Sequence, residues 1–282
     1  MQGERWEARD QVGQILHNLA GRLYSRTPQQ SLYHYTSLDG LMGIVGSGKL
    51  RASEARYLND ADELAYLAKS IGWEIARRLP VASVHTARIL EQFATWTTER
   101  LTDGYMLFVA SFTEHGNLLS QWRGYCPFGQ GVSLGISPEK LAAITHHSGF
   151  RMGQCVYGSE DQSKIVSSII DGVVEETERR GPSEAKHSSQ CYYGVFEELE
   201  PVILSIGALF KNATFKEEGE WRMVSPPRSN FRDNDIQYRT GKSMLIPYLA
   251  IDLRLGQDET DFDHVYVGPT PTPNLSHRSL HR

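Results

Sequence analysis

Ser31-Leu32-Tyr33-His34-Tyr35-Thr36, followed by Leu38-Asp39-Gly40-Leu41-Met42-Gly43-Ile44-Val45-Gly46-Ser47-Gly48, is the stretch on which the fold turns. The first six residues are rich in aromatic side chains and read as a short strand. Beyond them Leu38, Leu41, Met42 and Val45 recur at spacings of three and four, which predicts a helix with one apolar side. Gly46 and Gly48 then stop it. A strand that feeds straight into a helix and a turn sets the texture for the rest of the chain.

Downstream, Leu50-Arg51-Ala52-Ser53 leads to Tyr57-Leu58-Asn59-Asp60 and a second helix carrying Leu64, Leu67, Ala68, Ile71, Ile75 and Leu79 on one side. Asp60 and Glu63 resemble a capping box at its start. A third helix is predicted over 83–101 and a strand over Tyr105–Thr113. Residues 114–130 read as a loop carrying Ser120-Gln-Trp-Arg-Gly-Tyr125, and Gly131–Ser137 as the next strand. Helices are expected around 161–180 and 190–210, and strands at Glu220–Val224, Ser243–Leu253 and Asp263–Gly268. Upstream, Trp6, Val12, Ile15, Leu16, Leu19 and Leu23 predict an amphipathic helix ending before Thr27-Pro28. With no internal repeat and no linker, the expected organisation is an N-terminal helix over 1–30, one α+β domain over 31–269 and an extended tail over 270–282.

Composition narrows the function classes. The chain has 282 residues, 40% hydrophobic, 22% charged and 10% aromatic, close to a globular average. A formal net charge of −5 gives no global basic field, so any contact with nucleic acid must be local. Cys126, Cys155 and Cys191 are widely spaced and odd in number, which suggests neither a disulfide framework nor a zinc knuckle and fits a reducing cytoplasm. No window reaches the ~18 apolar residues of a membrane span, so the expectation is a cytoplasmic protein without membrane partners. Metal catalysis lacks a motif: His146 and His147 adjoin at a helix end and HExxH is absent. No phosphate-binding GxxxxGK[ST] or GxGxxG signature occurs in a suitable context.

Four clusters place polar and aromatic groups at strand ends or in glycine-rich segments: His34-Tyr35-Thr36, Ser111-Phe112-Thr113, Ser120 to Tyr125, and Glu218-Gly219-Glu220-Trp221-Arg222. Each has a structural explanation too. His34 fits a satisfied strand histidine, and Ser111 and Thr113 alternate with apolar neighbours as in any half-buried strand. Glu218 and Glu220 fit a solvated acidic edge beside Lys211 and Lys216, with Glu220 paired to Arg222. Asn59 and Asp60 fit a helix cap, and Arg123 a tie to Glu114. Cys126 with His115 as a nucleophilic pair has no support in the spacing. A nuclease or other RNA-processing enzyme would require Arg51, Arg56, Arg123 and Arg222 to form one basic groove.

Taken in order, HYT, LND, SF, SQWRGY and ExEWR resemble the bacterial family DUF2971 from about Tyr33 to Pro269. The order of three clusters is also similar to that of the ADP-ribosyltransferase superfamily, with His34 in the first place, Ser111 and Thr113 in the second, and Glu218-x-Glu220 in the third. This resemblance implies a split, mostly antiparallel β core with helical insertions. It also implies an enzyme that consumes NAD as substrate, cleaving the nicotinamide–ribose bond through an oxocarbenium-like state and passing ADP-ribose to water or to a protein or nucleic-acid acceptor.

In that picture Glu220 serves the nicotinamide ribose, with Glu218 on the same strand face orienting the acceptor, and His34 donates to the other ribose. Ser111 and Thr113 brace the floor, while Thr36 and Gln121 belong to the binding wall. Tyr35 or Tyr125 stacks on a base or on nicotinamide, and Arg123 and Arg222 pair with the diphosphate. The family context implies a toxin or anti-phage defence effector. The competing expectation is a non-catalytic module that senses a nucleotide or phage component through residues 114–130.

Overall fold

A computed structural model describes residues 13–58, 62–101, 104–126, 131–184, 187–229, 233–241, 243–256, 260 and 262–280. Its sheet branches from Phe108–Thr113 (β3), whose Phe108, Ala110 and Phe112 turn to one apolar face while Val109 and Thr113 turn to the other. One edge of β3 pairs along its length with Glu220–Val224 (β6), in a register that sets Ser111 opposite Arg222 and Thr113 opposite Glu220. The other edge is shared. Phe108 and Val109 pair with Lys49–Glu54 (β2), whereas Thr113 pairs with Tyr33 of Leu32–Ser37 (β1). No rung joins Ala110, Ser111 or Phe112 to β1 or β2, so the two strands fork away from β3 and a crevice opens between them.

Each arm of the fork extends outward. β1 pairs with Gly131–Ile136 (β4), which pairs with His264–Val267 (β9). β2 pairs with Leu245–Asp252 (β8), and β8 with Gln237–Thr240 (β7). Arg151–Gln154 (β5) lies on the far edge of β6. All these pairings are antiparallel, and with the helices below they make an α+β fold.

Leu38–Ser47 (α2) and Pro138–Ser148 (α6) cover one sheet face through Leu41, Ile44, Leu141 and Ile144. Ser37 caps α2 by accepting from the Gly40 amide at 3.1 Å. Gly48 ends it at φ +67°, a conformation a side chain would strain, and a Cβ there would also strike Arg254. Behind the other face stands a helical layer of Gln14–Leu23 (α1), Asp62–Arg78 (α3), Val84–Arg100 (α4), Ser159–Arg180 (α7) and Tyr193–Gly207 (α8). It is packed around Phe93, Trp96, Ile169 and Phe196. Ala208 and Leu209, just past α8, meet Leu107, Val109 and Val224 and join this layer to the sheet. Leu16 and Leu19 of α1 sit in the same helical core. Trp6, Val12, Asn59 and Asp60 lie outside the described residues, and no helix among the described ones is long and apolar enough to cross a membrane.

Two expectations are corrected. Within the tail expected to be extended, Pro273–Leu280 (α9) is helical, with Ser276 donating to the Thr272 carbonyl at 3.1 Å. Pro273 occupies the first helical position, where its missing N–H costs nothing. The second correction falls in the 114–130 loop, where Leu119–Tyr125 (α5) forms a short helix. Trp122 anchors it, meeting Tyr35 edge-on at 4.6 Å and donating from Nε1 to Asn117 at 2.8 Å.

Candidate functional site

The fork makes the site. Between β1 and β2 lies a cleft of about 460 Å³, within the range for small-molecule sites, and a smaller recess of about 50 Å³ adjoins it. His34, Tyr35, Ser111, Tyr125 and Glu220 border both. His34, Ser111 and Glu220, expected to converge from three distant stretches, therefore face one cavity.

At its floor sits a buried charge cluster. Glu220 is the first residue of β6, and its Oε2 accepts from Lys211 Nζ at 2.5 Å while its Oε1 accepts from Arg222 Nε at 2.9 Å. Lys211 also holds Glu218 at 2.7 Å, and Arg222 Nη1 donates to the Ala208 carbonyl at 2.8 Å. Lys211, Glu220 and Arg222 are each at most 5% exposed. Burial alone would raise the Glu220 pKa, but Arg222 and Lys211 outweigh it and hold the carboxylate at about 2. Burial likewise opposes the Lys211 charge, yet Glu220 raises its pKa well above the ordinary range. At neutral pH the acid is thus ionised and already neutralised by two cations.

Glu218 is not on the strand face expected for it. It ends the 3₁₀ turn Ala213–Glu218, and Gly219, at φ +51°, reverses the chain before β6 begins. Its carboxylate still converges with that of Glu220 because both reach Lys211. Lys211 is the residue that sequence reasoning missed. The sequence alone sets it beside a solvated acidic edge, but it follows the apolar run of α8 through Phe210, and its backbone N–H donates to the Val156 carbonyl. The apolar run Val202–Phe210 just before it is the one hint in the sequence, and it marks Lys211 as buried only once that run is placed in the core.

His34 reaches across the fork. Its Nδ1 donates to the Ser111 carbonyl at 3.0 Å, a group left unpaired by the diverging strands. Burial lowers its pKa, and the Ser111 bond only partly offsets this. With Nδ1 carrying the proton in the neutral ring, Nε2 is an acceptor. In that state Nε2 can accept a hydrogen bond but cannot donate one, which differs from the donor role expected for it.

The remaining candidates divide sharply. Thr36 lines the cleft, and Gln121 and Thr113 line the recess, with Thr113 donating its hydroxyl to the Glu218 carbonyl. Tyr35 is not a stacking surface. It is buried, and its hydroxyl donates to the His115 carbonyl at 2.7 Å and accepts from the Leu118 amide at 2.8 Å. Tyr125, 36% exposed, is one aromatic ring bordering the cleft, and Tyr57, 37% exposed, is another that the sequence reading did not single out.

The two arginines expected at the diphosphate differ in placement. Arg123 is exposed on α5 and borders neither of these cavities, whereas Arg222 lines the cleft with its guanidinium bonded to Glu220 and the Ala208 carbonyl. Glu114, the expected tie for Arg123, instead accepts from Trp221 Nε1 at 2.8 Å and Gln154 at 3.2 Å. No single groove joins Arg51, Arg56, Arg123 and Arg222, since Arg56 pairs with Glu54 at 2.9 Å outside the cleft lining. The Cys126 thiol donates to the Thr36 carbonyl at 3.4 Å, and burial pushes its pKa to about 11, which unsuits it as a nucleophile. Among the described residues no group of three or more His, Cys, Asp or Glu could hold a metal ion.

The profile of the family described as "Protein of unknown function (DUF2971)" matches residues 121–223. The match is narrower than the Tyr33–Pro269 span of the sequence motifs, and it covers α5 after its first two residues and the Lys211–Glu218–Glu220–Arg222 cluster but not β1, β2 or β3. No curated protein and no solved structure matches the chain.

Proposed function

We propose that the cleft binds NAD and that the protein is an ADP-ribosyltransferase-like enzyme acting on the nicotinamide–ribose bond. The observation that carries this reading is the convergence of His34, Ser111 and Glu220 on one cavity. The residues present fit such a ligand by class: acceptors and hydroxyls at His34, Thr36 and Ser111 for ribose, an aromatic face at Tyr125, and cations along β2 for phosphates.

Chemically, the C1′–N1 bond breaks with its electron pair going to the pyridinium nitrogen, so nicotinamide leaves neutral. The lone pair of an acceptor, water or a protein or nucleic-acid group, forms the new bond at C1′ and the acceptor's proton is released. Glu220, ionised throughout the physiological range, is the carboxylate this reading sets beside the developing positive charge, and to act there it must be released in part from Lys211 and Arg222. An effector role in defence or toxicity would follow from such consumption of NAD.

One observation favours a second reading, a nucleotide-binding module without turnover: Lys211 and Arg222 already neutralise Glu220. The experiment that decides is to incubate purified protein with NAD and measure released nicotinamide, alongside Glu220→Gln. Release by the wild type and its loss in the variant supports the enzyme. Equal release by both removes Glu220 from the mechanism, and binding of ADP-ribose without release favours the module.

A further inference from the structure

The wall of the cleft opposite His34 carries charge that the cluster at its floor does not use. β2 alternates, sending Leu50 and Ala52 into the apolar core and Lys49, Arg51 and Ser53 toward the cavity. Two strands away in the same arm, β7 contributes Arg239, whose Nη2 donates to Ser53 Oγ at 3.3 Å. Arg51 lies over the Tyr248 ring at 5.1 Å.

Both guanidiniums border the cavity, and among the described residues neither forms an ion pair with a carboxylate. They are close enough to repel: burial first, and then the Arg51 charge, lowers the Arg239 pKa. Glu220 cannot compensate them, because Lys211 and Arg222 already neutralise it; Asp39 is the remaining acid on the lining. Two like charges held side by side at the edge of a nucleotide-sized cavity form a receptor for an anion. Their planar forks match phosphate oxygens bidentately.

We propose that Arg51 and Arg239 form a phosphate subsite that takes the diphosphate of a nucleotide and so selects phosphorylated nucleotides over nucleosides. The assignment rests on the nucleotide reading of the cleft for its ligand class, but not on cleavage of that ligand. The cleft is then bipartite. The β1 arm, with neutral His34 and Thr36, suits sugar hydroxyls, and the β2 arm suits phosphates.

The test is calorimetric titration of the full chain with ADP-ribose, ADP and adenosine. It compares wild type, Arg51→Gln/Arg239→Gln, Arg51→Lys/Arg239→Lys and Arg123→Gln, with ligand-free thermal midpoints to show that each variant is folded. Wild type should bind ADP and ADP-ribose at least about tenfold more tightly than adenosine, a preference that weakens with salt. The glutamine pair should abolish the preference while adenosine affinity stays within about twofold; the lysine pair should keep part of it, and Arg123→Gln all of it.

Wild type that does not prefer ADP over adenosine, or a folded glutamine pair that keeps the preference, would overturn the assignment. So would tighter binding of a short single-stranded RNA than of ADP-ribose. Should the glutamine pair be unfolded, the single variants Arg51→Gln and Arg239→Gln carry the same comparison. Nicotinamide release is a separate readout. Arginine-dependent binding without release upholds the subsite and defeats the enzyme, whereas NAD turnover with an unchanged KM in the glutamine pair defeats the subsite and upholds the enzyme.

Discussion

His34 Nδ1 lies 3.0 Å from the carbonyl oxygen of Ser111, so a side chain on β1 closes the hydrogen bond that β1 itself no longer makes to β3. The strand pairing lost at the fork is replaced by one bond that fixes the ring and its tautomer. A cavity wall and a backbone repair are the same residue.

That bond sets an expectation for pH. His34 sits below its ordinary 6.5 because burial penalises the imidazolium, so Nε2 remains an acceptor at and above that pH. If NAD is turned over, the acidic limb of kcat/KM attributable to His34 should fall below pH 6.5, and His34→Ala should remove it. A limb centred above 6.5 that His34→Ala removes would show that the histidine works as a cation.

Lys211 provides the stability test. Removing it leaves Glu218 and Glu220 without their shared counter-charge, so Lys211→Met should destabilise the fold by about 3 to 5 kcal/mol. Urea unfolding measures it, and a loss below about 1 kcal/mol would mean that water reaches these carboxylates freely. Combining Lys211→Met with Glu220→Gln should cost less than the sum of the single losses, because the second change removes a charge that the first stranded.

Acid titration isolates the same cluster. The folded Glu220 pKa of about 2 lies below its ordinary 4.5, so its stabilisation is complete above pH 4.5 and is lost as pH falls toward 2. Lys211, displaced upward from 10.5, stabilises fully below 10.5 and loses this only at more alkaline pH. Between those limits the pair contributes a plateau. The difference in urea midpoint between wild type and Glu220→Gln should therefore be flat at neutral pH and shrink on acidification below about 4.5. A constant difference down to pH 2 would contradict the assigned ionisation.

Two tyrosines one strand and one helix apart should behave oppositely. Tyr35→Phe strands the His115 carbonyl and the Leu118 amide, costing about 1 to 3 kcal/mol of stability. Tyr125→Ala, bordering the cleft, should weaken ADP-ribose binding several-fold by losing a stacking face, more than Tyr35→Phe does. Calorimetry and thermal melting on both variants check the pair. Binding loss in Tyr35→Phe with intact stability would reverse the roles.

Gly219→Ala tests how Glu218 is delivered. Its φ of +51° costs an L-residue about 1 to 2 kcal/mol, whereas an added Cβ meets only ordinary contacts, the nearest at 3.4 Å. A destabilisation of that size is expected in urea unfolding, and a neutral result would show that the turn relaxes away from the left-handed region.

How much of this was legible in the chain depends on what each segment's polarity answers to. Ser111-Phe112-Thr113 at the end of β3 and Glu220-Trp221-Arg222 at the start of β6 alternate polar with apolar residues, and with His34 of β1 they hold the site residues that do meet. β2 escaped because Lys49-Leu50-Arg51-Ala52-Ser53-Glu54 reads as a polar connection. Its polar side faces a cavity rather than solvent, and Glu54 is buried against Arg56. β5 and β7 are four residues long, too short for a period to emerge. α5 is only seven residues long, with Gly124 inside it, too short for a helical spacing to emerge. The charge cluster was half visible. Glu218 and Glu220 stand two apart in sequence, but the lysine that unites them is recognisable only once the end of α8 is known to be buried.

The crevice owes its existence to missing rungs rather than to a hinge. Because β1 and β2 leave β3 at Thr113 and Val109, the gap between them is set by ladder register, which changes only in whole-residue steps. To seal the mouth altogether the chain would have to zip one strand further along its neighbour, at the expense of the His34–Ser111 bond that now spans the gap.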